Sequence, residues 1–317
     1  MTDPSLRLRF WGVRGSIPTP GPETSRYGGN TSCVTLEFPS AEPDGNPHLF
    51  ILDAGTGIRS LGLSLLKEQR VPLTAHLFLS HTHWDHIQGF PFFAPAFMPG
   101  NRILVHGGVG SDAELATVLT GQMLHRYFPV SLSELGSEIV FAHTDGGDYE
   151  IAGAGIHVAD LHHPGTTVGY RFDIGGRTIA YCTDTEPPGV TPGIDPETIA
   201  SLPLDPAVLR LARDADVLIH DAQYTDAEYP PKIGWGHSPL SFVIRTALAA
   251  RVKRLVLFHH DPLRSDDLLD TFLADACALA LSLAQPTDPP LRIDAAAEGL
   301  EITLPQGTPT LASAQRV

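Results

Sequence analysis

The sequence predicts an α/β protein in which two β-rich halves pack sheet against sheet with helices on the outer faces. Three observations carry that prediction. Short apolar runs recur along the chain and are bounded by Gly, Pro and Asp turns, as buried strands are. Between them stand segments with helical periodicity and recognisable caps. Four apolar strands also deliver His or Asp at their C-terminal ends, a placement that random scatter over both rims of a sheet would not give.

Leu6–Trp11 alternates polar and apolar residues, the signature of a half-buried strand. It leads into Gly12-Val13-Arg14-Gly15-Ser16 and a Pro- and Gly-rich loop to Gly29 that could cover an active site. Arg14 could reach a substrate phosphate or serve as a structural ion-pair residue. Strands follow at Thr31–Phe38 and Leu49–Leu52, the second ending at Asp53-Ala54-Gly55-Thr56-Gly57. No Gly-Lys-Ser/Thr follows those glycines, so a tight strand-to-helix turn explains them better than a phosphate loop. A helix from Ile58 to about Glu68 leads to the strand Ala75–Leu79.

That strand opens onto Ser80-His81-Thr82-His83-Trp84-Asp85-His86, in which four metal-competent side chains occupy six residues. Imidazole and carboxylate donors suit zinc, iron or manganese better than a soft thiolate site would. A solvated His-rich loop seldom follows a buried strand at this ligand spacing. Phe90–Phe97 is too proline-rich for a central strand and reads as packing under a loop or as an aromatic wall. Ile103–His106 is a strand, and Ser111 with Glu114 forms a capping box for a helix to about Tyr127.

From Ile139 to Tyr181 the chain reads as a β-layer that contains Leu161-His162-His163-Pro164-Gly165. Thr178–Tyr181 then ends near Asp184, Val217–Ile219 at His220-Asp221, and Leu255–Phe258 at His259-His260. Asp205-Pro206 and Ser238-Pro239 open helices, and Ser265 caps an amphipathic helix carrying Leu268, Leu269, Phe272, Leu273, Ala276, Leu279 and Leu283. Gly299–Leu304 is a last strand. One domain over 1–304 is expected, with a frayed tail over 305–317.

Of 317 residues, 21 are basic and 36 acidic, giving a formal charge of -15 with Lys67, Lys232 and Lys253 as the only lysines. Long polyanions need a cationic track, so no long nucleic acid is expected, and a small anionic or neutral substrate drawn in by metal ions is compatible. Cys33, Cys182 and Cys277 show no Cys-x-x-Cys spacing, and no apolar run approaches the roughly 18 residues that span a bilayer. Met1–Pro4 lacks the regions of a signal peptide. A cytoplasmic protein with reduced thiols and no membrane partner is expected.

Together these residues resemble the metallo-β-lactamase superfamily, an αββα four-layer sandwich of hydrolases, over nearly the whole chain. The resemblance implies two divalent ions, zinc first and manganese or iron as alternatives. It gives His81, His83 and His163 as ligands of one ion, Asp85, His86 and His259 as ligands of the other, and Asp184 as the bridging carboxylate. His163 is preferred over His162 because the family's ligand commonly precedes a Pro or Gly turn, and His259 over His260 because it ends the strand.

Such ions supply a bridging hydroxide as nucleophile, with Asp85 orienting it and acting as a proton acceptor. Ile219–Tyr224 and Gly236-His237-Ser238 resemble segments of the ribonuclease Z and cyclic-phosphate phosphodiesterase branch. That implies His237 as general acid, positioned by Asp221. Asp221 stands where ribonuclease Z has glutamate, and only Arg102 and Arg126 carry positive charge between Gln88 and Glu150. The expectation is a phosphodiesterase for a small phosphodiester, cyclic phosphates included. A thioester, lactone or β-lactam hydrolase and a non-catalytic ligand sensor are the alternatives. Relatives that are often dimers suggest a homodimer by analogy.

Overall fold

The computed structural model describes residues 5–40, 45–194 and 196–307. Alternation of side chains across each strand produces three apolar layers, and these organise the chain. In the first half, β1 (Leu6–Gly12), β2 (Cys33–Phe38) and β3 (His48–Leu52) form an antiparallel meander. Helix α1 (Ile58–Lys67) then returns the chain to β4 (Thr74–Leu79), which lies parallel to β3. The short α2 (Trp84–Ile87), strand β5 (Arg102–Gly107), helix α3 (Asp112–Gln122) and strand β6 (Glu138–His143) extend this parallel wing.

The second half follows the same plan. An antiparallel meander of β7 (Gly147–Ile151), β8 (Ala154–Asp160), β9 (Val168–Ile174) and β10 (Arg177–Cys182) comes first. Helices α4 (Pro196–Ile199) and α5 (Pro206–Ala212) precede β11 (Val217–Asp221), and α6 (Leu240–Ala249) precedes β12 (Arg254–Phe258). Helix α7 (Asp266–Leu283) precedes β13 (Arg292–Ala295), and β10 to β13 run parallel. The last strand, β14 (Glu301–Leu304), crosses back to pair with β1, so each sheet has seven strands.

Phe50 and Leu52 of β3, Phe78 of β4, Tyr170 and Phe172 of β9, and Val256 and Phe258 of β12 meet between the sheets. Leu49 and Ile51, on the opposite face of β3, pack instead with Leu61 and Leu65 of α1. Leu255 and Leu257 of β12 likewise face Val243 of α6 and Phe272 of α7. The result is the four-layer αββα sandwich expected from the sequence. No described helix is long and apolar enough to cross a membrane.

Several boundaries differ from expectation. Helix α3 stops at Gln122, next to Gly121, and the chain then turns through Leu124 so that Phe128 contacts Phe92. Phe90–Phe97 forms two 3-10 turns that bury Phe90 and Phe93 and leave Phe92 exposed. Ser238 does not cap α6; its hydroxyl donates to the Thr185 carbonyl. Gly307 donates to Gly175 and Pro305 accepts from Arg177, so the chain stays tied to the β9–β10 turn through 307. The rest of the tail expected to fray, 308–317, lies outside the described residues.

The expectation that Arg14 could contact substrate is corrected. Its guanidinium is 0% exposed and donates to the carbonyls of Gly28 at 2.8 Å and Arg264 at 2.6 Å, with Asp261 at 3.3 Å and the Asp266 carboxylate at 3.7 Å. Backbone bonds from Gly15 to His260 and from His260 to Val13 complete the join. Arg14 is an internal strut that clamps the loop after β1 onto the segment after β12. Arg14→Met would strand those carbonyls and leave the Asp266 carboxylate with only its donors at Arg26 and Tyr27, at a cost of about 3–5 kcal/mol. A fall in the urea unfolding midpoint at unchanged m-value is expected, and a wild-type midpoint would refute the strut.

Candidate active site

Every element of the site hangs from the C-terminal end of a strand. β4 delivers His81 and His83 and, through α2, Asp85 and His86; β10 delivers Asp184; β11 delivers Asp221; β12 delivers His259. His163 comes from the turn between β8 and β9. Among the described residues, donor atoms of His81, His83 and His163 converge within 4.8 Å of one another, as do those of Asp85, His86, Asp184 and His259.

Asp184 lies between the two groups. Its Oδ2 is 3.6 Å from His81 Nε2 and 3.8 Å from His163 Nε2, while its Oδ1 is 3.2 Å from His86 Nε2 and 3.3 Å from His259 Nε2. Of the two adjacent-histidine pairs, His163 Nε2 stands 3.0 Å from His83 Nδ1, while His162 is half out in solvent and bonds Asp205. His259 Nε2 stands 3.1 Å from Asp85 Oδ2, while His260 bonds the Ala296 carbonyl.

Two of the imidazoles are held by their outer nitrogens. His163 Nδ1–H donates to the Gly236 carbonyl at 2.8 Å, and His86 Nδ1–H donates to Asp53 at 2.8 Å. Each bond selects the tautomer that turns a lone pair inward, as a metal-ligating imidazole requires. Asp53 is a residue that reading the sequence missed. Its buried carboxylate also accepts from the Ser80 N–H at 2.8 Å and the Tyr181 hydroxyl at 2.7 Å. The signal for it was present, since Asp53 follows the apolar strand β3 just as the other site residues follow theirs. Ser16 was missed as well; its N–H donates to Asp85 Oδ2 at 2.7 Å.

The donor set fits divalent ions on three counts. His81 Nε2 is buried without a hydrogen-bond partner. His83 Nδ1 and His163 Nε2 face each other at 3.0 Å, as His86 Nε2 and His259 Nε2 do at 3.3 Å, the spacing of two imidazole donors on one divalent ion. The electrostatics also favour positive charge at the centre. Burial alone would raise Asp184 and Asp85, yet neighbouring imidazoles hold both carboxyls below the usual range. Burial alone would lower His86, but Asp184, Asp85 and Asp53 push it up. For His81 burial prevails, reinforced by His86, and the ring is held well below its ordinary value.

His237 borders both groups. Its ring stacks on His259 at 4.9 Å and lies 5.2 Å from His163. Nδ1 is 2.9 Å from Asp221 Oδ2, and the Ser238 and Thr185 N–H groups also point at that oxygen. Burial would lower this imidazole, but Asp221, with Asp184 and Asp85 behind it, pushes it up to about 9. Gly236 is in the left-handed region at φ 84°, and a Cβ there would collide with the His163 ring, so glycine is required for this approach.

A family model described as "Beta-lactamase superfamily domain" matches residues 48–260. Ribonuclease Z of Nostoc punctiforme is 25% identical over 310 residues, covering 81% of this chain and 85% of its own. Among solved structures, unliganded yeast PDE1 superposes with a TM-score of 0.64 at 15% identity, covering 95% of this chain and 99% of its own. The short form of human tRNase Z does so at 0.61 and 19%, covering 94% and 99%. These relatives overturn the expectation that no long nucleic acid is a partner, because proteins named as ribonucleases align with four-fifths of the chain. The missing cationic track spoke only to binding by phosphate neutralisation. The chain thus belongs to the metallo-β-lactamase superfamily and is a metal-dependent hydrolase.

Proposed function

We propose that the protein hydrolyses phosphodiesters. The observation that carries this reading is the Asp221–His237 pair, 2.9 Å apart, built against the metal-competent cluster. A hydroxide attacking a phosphodiester expels an alkoxide, and a proton donor at that oxygen is what the reaction lacks when only ions are present. Acyl transfer from a thioester, with its weakly basic leaving group, has less need of one.

In this reading His81, His83, His163 and Asp184 Oδ2 would hold one ion, and Asp85, His86, His259 and Asp184 Oδ1 a second. The N/O donor set favours zinc, with manganese or iron next. Bound divalent ions supply a water acidified to a pKa near about 7 and polarise the phosphoryl oxygens. Asp85, fixed by the Ser16 N–H, would orient a water at the site and take up its proton. His237, gripped at Nδ1, presents Nε2 to the leaving oxygen and gives up its proton there. Asp221 stabilises the imidazolium before transfer and keeps the ring in its tautomer afterwards. Free thiols at Cys33, Cys182 and Cys277 fit a reducing compartment, and we place the protein in the cytoplasm.

Zinc- or manganese-loaded protein is expected to hydrolyse bis(p-nitrophenyl) phosphate in preference to thioester, lactone and β-lactam substrates. Full metal loading without phosphodiester turnover would end the proposal. His237→Ala is expected to lower kcat by about 10²- to 10⁴-fold while emission spectrometry shows unchanged metal content; loss of metal from that variant would instead make His237 a ligand. Asp53→Asn, which weakens the grip on His86, is expected to reduce metal affinity by about 10- to 100-fold in a chelator competition. Wild-type affinity in that variant would refute the role given to Asp53.

A further inference from the structure

Two exposed tryptophans adjoin residues of the cluster in the chain, and neither holds or orients a side chain of the site. Trp84 is 79% exposed although it lies between His83 and Asp85 in the metal-competent motif, and Trp235 is 55% exposed although it precedes Gly236, whose carbonyl holds His163. His83 and His163 approach to 3.0 Å, so the backbone at Trp84 and the backbone at Trp235 lead to the same pair of imidazoles, the first directly through His83 and the second through Gly236 and His163. The remaining tryptophan, Trp11, is buried and donates to Thr35. An exposed indole next to a polar, charged site forfeits burial free energy unless something flat covers it.

The loop that carries Trp235 is fixed in place. Glu186, two residues beyond Asp184, accepts from the Tyr229 hydroxyl at 2.8 Å and from the Gly234 N–H at 2.9 Å, with the Gly236 N–H at 3.3 Å. Lys232 lies in the same loop, its ammonium 4.0 Å from the centre of the Trp235 ring and 6.0 Å from that of Tyr224. The Tyr224 ring in turn lies 6.0 Å from His237. Lys253 is matched to Asp216, whereas no ion pair of Lys232 occurs among the described residues. A cation without an ion pair, linked to the proposed general acid through the Tyr224 ring in a chain of net charge -15, is available to an anion that arrives with the substrate.

We propose that Trp84, Trp235 and Lys232 form a clamp for the nucleotide next to the scissile phosphodiester, with the indoles stacking a base and the ammonium holding a flanking phosphate. This rests on the phosphodiesterase reading and deepens it by naming a nucleotide-bearing, single-stranded substrate. Base stacking is tolerant of sequence and needs no cationic track. An acidic protein can therefore grip a nucleic acid end through π-faces, one lysine and its bound cations.

The test is fluorescence anisotropy of a labelled five-nucleotide RNA with phosphorothioate linkages on the zinc-loaded protein, compared with the same chain made abasic at every position. The base-bearing strand is expected to bind roughly 10-fold or more tightly. Trp84→Ala/Trp235→Ala should erase that ratio, and Trp84→Phe/Trp235→Phe should restore part of it. Affinity should fall with salt at a log–log slope no steeper than about -1.5, and Lys232→Met should flatten it by about 0.7. Equal affinity for the two strands, a slope of several units, or a double-alanine variant that keeps the base preference would each overturn the clamp. So would a dimer in sedimentation that buries both indoles against a second copy. Because binding is read without turnover, inactivity on bis(p-nitrophenyl) phosphate sinks the phosphodiesterase reading separately, and base-indifferent binding sinks the clamp alone.

Discussion

Asp184 is the point on which both halves of the molecule converge. It leaves the end of β10 in the second sheet, yet His81 and His86, which face its two oxygens, belong to the first sheet. That meeting is possible only because the inter-sheet layer of Phe50, Phe78, Tyr170, Phe172 and Phe258 fixes the sheets face to face with their parallel wings open at the same rim. A carboxylate shared between two imidazole groups therefore makes site geometry a property of core packing. A large-to-small change in that layer would be felt at the rim before it unfolded the protein.

The convergence carries a local cost in backbone conformation. Among the described residues, eight non-glycine positions have positive φ, and four of them, Ser16, Asp53, Asp184 and His259, belong to the site or touch it. Each sits where a strand or its following loop must stop extending and turn a polar side chain inward. Left-handed backbone in non-glycine residues costs of order 1 kcal/mol or more and persists where surrounding contacts over-determine it. Those contacts are visible: Asp53 is tied to Ser80, His86 and Tyr181, and Ser16 to Asp85. The burial of opposite charges on Asp85, His86 and Asp184 adds a desolvation cost, which a bound divalent cation would offset by supplying the charge the carboxylates are arranged around.

This cost explains what was legible in the sequence and what was not. Strand-end placement of His81, Asp184 and His259 could be read because apolar runs and ligand spacing are both local properties. Asp53 obeys the same rule, but the Gly-rich turn that follows it is explained equally well by a plain strand-to-helix connection, and its partners Ser80, His86 and Tyr181 are distant in sequence. Arg14 misled in the opposite direction. An arginine in a Gly- and Pro-rich loop near a metal motif looks like a phosphate contact, but its partners, the carbonyls of Gly28 and Arg264, are main-chain groups that no sequence pattern marks. The α3 boundary slipped because a capping box announces where a helix starts while the end at Gln122 depends on where Phe128 must dock.

The overturned reading of nucleic acid exclusion follows from treating charge count as a proxy for affinity. A net charge of -15 disfavours a polyanion at long range, and salt-dependent phosphate contacts need many cations to offset that. The field near the rim is not the field of the whole surface, however. Seven inward-facing donors arranged for divalent ions, with His237 behind them, make the rim locally receptive to phosphate once ions are bound. A substrate end needs only to reach that rim, and the repulsion of the acidic remainder acts on the distal chain, where few contacts are made. Acidic composition then selects against binding along the length of a nucleic acid without forbidding attack near an accessible end, so a ribonuclease-like relationship and a negative surface are physically compatible.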